Sequence, residues 1–303
     1  MSAMLQERAG LPGPALLAGA RCAVVANGSA GTLQRDPGLL PRLEEALERA
    51  GFSLVVRPPP EASLDEQWRL ATEASPDVVF AFGGDGTLRA MAERAIAEGV
   101  TLALLPGGTM NRVCARLGLP QDPVAAAARY RPGRTRGLAV GFMNEHPFLF
   151  QSLLGKPVRL LRFREMQRGA GAAGWLPLLR AMLRKLLFLG RDRLTIVLPD
   201  GERLAGSVAV VTMPEPDGQP ALTVEVARPR HAVSRIRQSW RWFRGRLSDD
   251  PEAASATAER LVAMGRTRSL RFSLDGEMML APIPLRFRLR PDALTILDPV
   301  PPP

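Results

Sequence analysis

Cysteine, lysine, histidine and long apolar runs are all scarce in this 303-residue chain. Its two cysteines, Cys22 and Cys114, make neither a disulfide framework nor a metal cluster, so a reduced, cytoplasmic setting is expected. Two histidines, His146 and His231, are too few and too isolated for a catalytic or metal constellation. No stretch reaches the roughly 18 apolar residues that a bilayer-spanning helix needs, so any membrane contact must be peripheral. The amino terminus lacks a basic stretch followed by an apolar run, and no signal peptide is expected. Aromatics are only 5%. Lysine occurs at Lys156 and Lys185 alone, so nearly all of the 40 basic residues are arginine. Against 30 acidic residues they leave a net charge of +10, which favours an anionic partner such as a nucleotide, nucleic acid or lipid surface. Hydrophobic residues at 46% and charged residues at 23% suit a globular chain and exclude general disorder.

Short apolar runs alternate with helical patterns over residues 22–118. The runs are Cys22–Asn27, Ser53–Arg57, Asp77–Gly83 and Thr101–Pro106. Between them, Leu39–Ala50 puts Leu40, Leu43, Ala46 and Leu47 on one helical face, and Glu61–Ala74 and Thr87–Ala97 are also helical. Strand and helix in alternation predict a parallel sheet with crossover helices. After residue 133 the texture changes to short strands with turn signals, at 135–155, 193–200, 206–213, 221–228, 268–275, 283–290 and 293–298. Helical insertions are expected near 175–189, 231–244 and 251–264. The expected architecture is an α/β nucleotide-binding domain over 21–133, then a mainly antiparallel β-sandwich domain over 134–298. Residues 1–20 and 299–303 read as loose termini.

The chemistry concentrates in three turns. Gly83-Gly84-Asp85-Gly86-Thr87 follows an apolar strand and opens a helix. Glycines there let the backbone approach a ligand, and amides at a helix start bind phosphate. Asp85 puts a carboxylate in the same turn, which implies a bridging Mg²⁺ or a proton-accepting role. Asn27-Gly28-Ser29-Ala30-Gly31-Thr32 follows the first strand, and Pro106-Gly107-Gly108-Thr109-Met110-Asn111 follows the fourth. In an open parallel sheet the carboxyl ends of neighbouring strands face one crevice, so the three turns should converge on it. There is no Gly-x-x-x-x-Gly-Lys phosphate loop.

This pattern resembles the diacylglycerol kinase catalytic-domain superfamily, which includes sphingosine kinases, ceramide kinases and bacterial lipid kinases. The resemblance rests on GGDGT at 83–87, on the Asn27-x-x-x-Gly31 turn, and on Pro106, Gly108, Thr109, Asn111, Arg116 and Leu117 in the following motif. Ser273-Leu274-Asp275-Gly276-Glu277 is similar to the family's closing segment. The resemblance implies ATP-dependent phosphorylation of a lipid hydroxyl with Mg²⁺. It implies that Asn27, Ser29, Gly31, Gly83, Gly84, Gly86, Thr87, Gly108, Thr109, Asn111 and Arg116 form the nucleotide and phosphate site. Glu277 and Asp85 are the implied catalytic carboxylates, either of which could be the general base.

Three departures stand out. Leu88-Arg89-Ala90 replaces the family's hydrophobic-Asn-Glu, and Ser152-Leu153-Leu154-Gly155 replaces a Gly-x-Gly. Asp217-Gly218-Gln219-Pro220-Ala221-Leu222 is a reduced form of a segment linked in bacterial relatives to a structural metal, and no such site is assigned. Gly169-Ala170-Gly171-Ala172-Ala173-Gly174 imitates a dinucleotide-binding motif but follows no apolar strand, and reads as a linker.

The positive charge is focused. Residues 156–193 carry a net +8 and residues 228–246 a net +7. Leucines 178, 179, 183, 186 and 187 recur at helical spacing beside Arg180 and Arg184, a pattern that fits an anionic bilayer surface as well as a core-facing helix. A peripheral membrane contact is expected through both segments, with a membrane lipid as substrate and no nucleic acid. Two rivals stand beside this reading. One is an NAD kinase-like enzyme, which shares GGDGT. The other is a non-catalytic anionic-ligand or nucleic-acid binder using Trp240, Trp242 and Phe243.

Overall fold

A computed structural model describes residues 15–155, 194–215, 218–231, 233–234, 237–238, 241 and 247–301. Of the described residues, those of 15–140, 215, 218 and 290–301 form one compact unit, and those within 141–214 and 219–289 form the other. The expected helix at 175–189, the Gly169–Gly174 linker, Trp240, Trp242, Phe243 and Asp217 lie outside the described residues.

The first unit opens with β1 (Arg21–Ala26), α1 (Gly31–Arg35), α2 (Leu39–Arg49), β2 (Ser53–Val56), α3 (Leu64–Glu73), β3 (Val78–Gly83), α4 (Asp85–Glu98) and β4 (Leu102–Pro106). Two short helices, α5 (Arg112–Arg116) and α6 (Pro123–Ala127), then lead into β5 (Thr135–Met143). The strand order β2-β1-β3-β4 is parallel throughout. The chain leaves β1 toward β2 on one side and returns to β3 on the other, which puts the switch point of the sheet between β1 and β3. β1, β3 and β4 are buried almost end to end, as crossover helices on a parallel sheet require.

Local chemistry explains the helices. Ser63 caps α3 by accepting a hydrogen bond from the Glu66 amide at 3.2 Å, and Asp65 and Glu66 sit in its positive first turn. α2 buries Leu39, Leu40, Leu43, Ala46 and Leu47, the face its periodicity predicts. α4 ends at Gly99 in the left-handed conformation. Behind the sheet Phe80 meets Phe52 and Tyr130 edge-on at 5.1 and 5.5 Å. The buried Tyr130 hydroxyl donates to the Leu104 carbonyl at 3.0 Å and accepts from the Leu104 amide at 3.2 Å.

The second unit is antiparallel. Its strands are β6 (His146–Phe148), β7 (Gln151–Gly155), β8 (Leu194–Val197), β9 (Arg203–Gly206), β10 (Val208–Thr212), β11 (Leu222–Ala227), β12 (Ala254–Ala258), β13 (Arg260–Gly265), β14 (Ser269–Leu274) and β15 (Glu277–Pro282). The last strand, β16 (Leu285–Leu297), begins here and ends in the first unit, where Ile296 pairs in parallel with Leu102. One sheet runs β12-β11-β10-β7-β14-β15, and a second pairs the start of β16 with β13, then β8, then β9. The fold class is thus α/β with a following antiparallel β unit, as the sequence predicts.

Three expectations are corrected. The helix predicted near 251–264 is the strand pair β12 and β13. Its alanines favour helix, but Leu261 and Ala263 alternate into the core while Arg260, Val262 and Met264 do not, and that period of two wins. The expected strands 283–290 and 293–298 are one strand, which continues past Pro291 and Asp292, the latter at φ 54°. Finally, β15 was not expected, because its Met278-Met279-Leu280 run is partly exposed and lacks alternation.

Asp250 anchors the segment after β11. Its buried carboxylate accepts hydrogen bonds from Arg237 Nε and Nη2 at 2.6 and 3.1 Å, from Gln238 Nε2 at 3.1 Å and from the Glu252 amide at 3.0 Å. Arg241 lies 3.3 Å away. The Arg237 hydrogen bond holds the Asp250 carboxyl down at about 2. A carboxyl depressed in the fold stabilises it above its unfolded value, near 3.9, and that contribution is lost as pH falls toward 2. We predict that Asp250→Asn costs on the order of 1–3 kcal/mol at neutral pH. It should also flatten the acid loss of stability between about pH 4 and 2; urea unfolding across that range checks both.

Candidate functional site

Three strands deliver three turns at their carboxyl ends, and hydrogen bonds tie the turns together. Asn27 follows β1, and its Nδ2 donates to Thr87 Oγ1 at 2.8 Å. Its Oδ1 accepts from the Ser29 amide at 2.9 Å, closing a local turn. Its own amide reaches the Phe82 carbonyl on β3. From the helix that Gly31 opens, the Thr32 hydroxyl donates to the Gly107 carbonyl at 3.0 Å. The Gly107 amide donates to the Gly83 carbonyl at 2.8 Å. Asp85 Oδ1 accepts from the Val113 amide at 2.9 Å, joining the second turn to the start of α5.

Glycine permits this closeness. A Cβ on Gly108 would stand 2.7 Å from Gly84 Cα, and one on Gly83 would stand 2.5 Å from Thr87 Cβ. The first contact is backbone against backbone and cannot be relieved by a rotamer change. The glycines therefore serve turn-against-turn packing as well as access to a ligand.

Gly84 precedes α4 and gives it no side-chain cap. The first amides of α4, from Asp85, Gly86 and Thr87, are thus presented at the positive end of a 14-residue helix, the arrangement that holds phosphate. Thr87 is itself buried under Asn27. Asn111 is buried and left-handed at φ 47°; its Oδ1 accepts from the Gly108 amide at 2.7 Å and its Nδ2 donates to Gln121 at 3.0 Å. It shapes the third turn. Thr109 is exposed at the tip of that turn, and the half-buried Arg116 closes α5.

A cavity of about 660 Å³ adjoins the first turn. Asn27, Ser29, Leu33, Pro60, Glu61 and Ser63 are among its walls, which mix polar and apolar groups. Gln67 holds its rim. This fully buried residue accepts from the Ala26 amide at 3.0 Å and donates to the Ala62 carbonyl at 2.9 Å. Thr32 ends the first glycine turn of the sequence, whereas Gln67 carries no sequence signal. Gln67 occupies a position on the buried face of α3 that an apolar residue would fill equally well by pattern, and nothing local marks it.

In the family-divergent stretch, Leu88 is fully buried and Arg89 is 8% exposed, with Glu93 at 3.5 Å. Both belong to the inner face of α4. The cysteines are buried, and burial pushes both thiols up, away from a reactive thiolate. Among the described residues no group of three or more His, Cys, Asp or Glu side chains could hold a metal ion. Within the three turns themselves the carboxylate is that of Asp85, which suits an Mg²⁺ carried largely by phosphate oxygens and water.

Glu277 belongs to the second unit. It is exposed at the start of β15, opposite Leu274 across a two-residue turn. Asp275 and Gly276 form that turn, both at positive φ, as a type I′ hairpin requires. Of the seven arginines in 228–246, Arg237 and Arg241 pair with Asp250, so part of that positive charge is neutralised within the fold. Among the described residues no helix is long and apolar enough to cross a membrane.

Known proteins bear on this arrangement. The diacylglycerol kinase catalytic domain matches residues 21–143, the stretch that holds all three turns. An uncharacterized protein of Synechocystis sp. is 26% identical over 100 residues, which span 32% of this chain and 23% of that protein. A diacylglycerol kinase structure from Bacillus anthracis str. Sterne aligns with a TM-score of 0.64 at 16% identity, covering 92% of this chain and 97% of that one. Two further structures from the same organism align at TM-scores of 0.65 and 0.66, both 18% identical and covering 91% and 92% of this chain. These structures share the fold across both units. GGDGT, the Asn27 turn and the Asn111 turn all lie inside the stretch, residues 21–143, that matches the diacylglycerol kinase catalytic domain.

Proposed function

We propose that this protein is an ATP-dependent lipid kinase, transferring the γ-phosphoryl group to the hydroxyl of a diacylglycerol-like or sphingoid lipid at a membrane surface. The carrying observation is the set of three cross-bonded turns at the switch point of the sheet, within a matched kinase domain. Main-chain amides of residues 85–87 take the phosphates, and the cavity beside Asn27 and Ser29 takes the nucleoside. Arg116 supplies side-chain charge. Asp85 would hold Mg²⁺ beside the phosphates, where the metal would neutralise negative charge.

Asp85 has a divided role in this scheme. One oxygen fixes the start of α5, which leaves the other for the metal. That argues for Glu277 as the general base. Its carboxylate takes the proton of the lipid alcohol, and the alcohol oxygen bonds to the γ-phosphorus. The bond from that phosphorus to the β,γ-bridging oxygen breaks, and ADP departs. The basic stretches 156–193 and 228–246 bring the enzyme to an anionic membrane, so the protein is cytoplasmic and peripheral, with no nucleic-acid partner.

Radiolabelled ATP offered with a panel of lipid alcohols tests the activity, with NAD as a competing acceptor. Label should enter a lipid; label in NAD alone, or in nothing, refutes the proposal. Asp85→Ala and Glu277→Ala should each lower turnover by about 10²-fold or more, and full turnover in both would remove their assigned roles. Gly108→Ala should force the second and third turns apart, costing about 1–3 kcal/mol of stability. ADP affinity, measured by calorimetry, should fall at least about tenfold with it. Replacing Arg180 and Arg184 with Gln should weaken binding to phosphatidylserine vesicles, and undiminished binding would sever that segment from the membrane.

A further inference from the structure

The proposed base, Glu277, stands two residues beyond Asp275, a carboxylate that the proposed chemistry leaves unused. Asp275 is only 8% exposed, although it occupies the tip position of a two-residue hairpin, where side chains ordinarily face water. Its carboxylate is filled by backbone amides. Oδ2 accepts from Leu149 at 2.7 Å, and Oδ1 accepts from Phe150 and from Gln151, both at 2.9 Å. The Asp275 amide in turn donates to the Gln151 carbonyl at 2.9 Å. Four hydrogen bonds therefore clamp one turn residue to the link between β6 and β7.

A hairpin turn does not need this clamp. Asp-Gly at positive φ already makes a type I′ turn, and β14 and β15 are fully paired from Ser269 against Pro282 to Leu274 against Glu277. Among the described residues β15 is nevertheless at the edge of its sheet, paired with β14. An edge strand that begins at an exposed glutamate frays and tilts unless its first residues are held. β7, by contrast, lies inside the sheet between β10 and β14. The clamp ties the free end of the edge hairpin to the segment that leads into this interior strand.

We propose that Asp275 is the positioning residue for Glu277, its carboxylate locking the β14–β15 turn onto the Leu149–Gln151 amides so that the base is held at a fixed place and angle. The inference rests on Glu277 being the general base.

The test is a double-mutant cycle on phosphoryl transfer to lipid. Asp275→Asn is the informative change, because Asn-Gly favours the same turn and tolerates the same positive φ. The asparagine Oδ1 can still accept from Phe150 and Gln151, but its NH₂ then faces the Leu149 amide, donor against donor. We expect kcat to fall 10- to 100-fold with the KM for ATP unchanged. The same substitution made in Glu277→Gln protein should cost less than twofold further. Hydrogen exchange at the Leu149–Gln151 amides should quicken in Asp275→Asn. An equal loss in both backgrounds would reduce Asp275 to a stability role and overturn the inference. Full activity of Glu277→Gln would instead remove the base assignment, a failure that the single mutant reports by itself. Should Asp275→Asn not fold, Gly276→Ala serves in its place. Gly276 sits at φ 96° with open space around it, so the added methyl strains the turn without a clash. It must likewise lower kcat when Glu277 is present and not when Gln replaces it; indifference to residue 277 would overturn the inference.

Discussion

The approach of Gly84 to Gly108 is the constraint on which the first unit's site depends. With the Cα of one 2.7 Å from where the other's Cβ would stand, these turns meet as bare backbone. Everything else in the site follows from that contact. It brings the Gly107 amide to the Gly83 carbonyl, lets Asp85 reach the start of α5, and sets Thr32 beside the third turn. Asn27 completes the circuit through Thr87. No single one of these bonds is worth much more than about 1 kcal/mol. Their value lies in fixing three loops that a sheet alone leaves loose.

Much of this was legible in the sequence because it is local. A glycine run between an apolar strand and a helix has few uses, and three of them at successive strand ends imply convergence once the sheet is parallel. The α2 stripe is equally local and is found where the pattern puts it, whereas α3 starts at Leu64 behind its Ser63 cap rather than at the expected Glu61. What stayed hidden depends on partners far away in the chain. Gln67 is a core residue by position and a polar hub by contact, and its partners Ala26 and Ala62 lie on other elements. Asp275 reads as a turn residue, which it is. Its second role needs amides 124 to 126 positions earlier, which no spacing rule can reach.

The second unit was less legible for a different reason. Its strands are short, and three of the five residues of β12 are alanines, which favour helix until a neighbouring strand fixes their register. The arginines of 228–246 likewise count, along the sequence, as one block of net +7. Arg237 and Arg241 turn out to share a buried carboxylate that enters only at Asp250. A charge run counted along the sequence overstates the charge available to a partner whenever the fold returns an acid to it.

A phosphate grip made of peptide amides carries no proton that it can surrender between neutral and strongly alkaline solution. The only amines along the chain beyond its amino terminus are Lys156 and Lys185, neither of them in the three turns. Acylating reagents that disable a lysine-based kinase therefore have nothing to attack in this cradle. In the proposed scheme the triphosphate meets main-chain amides together with Asp85 and Arg116, and none of these is an amine.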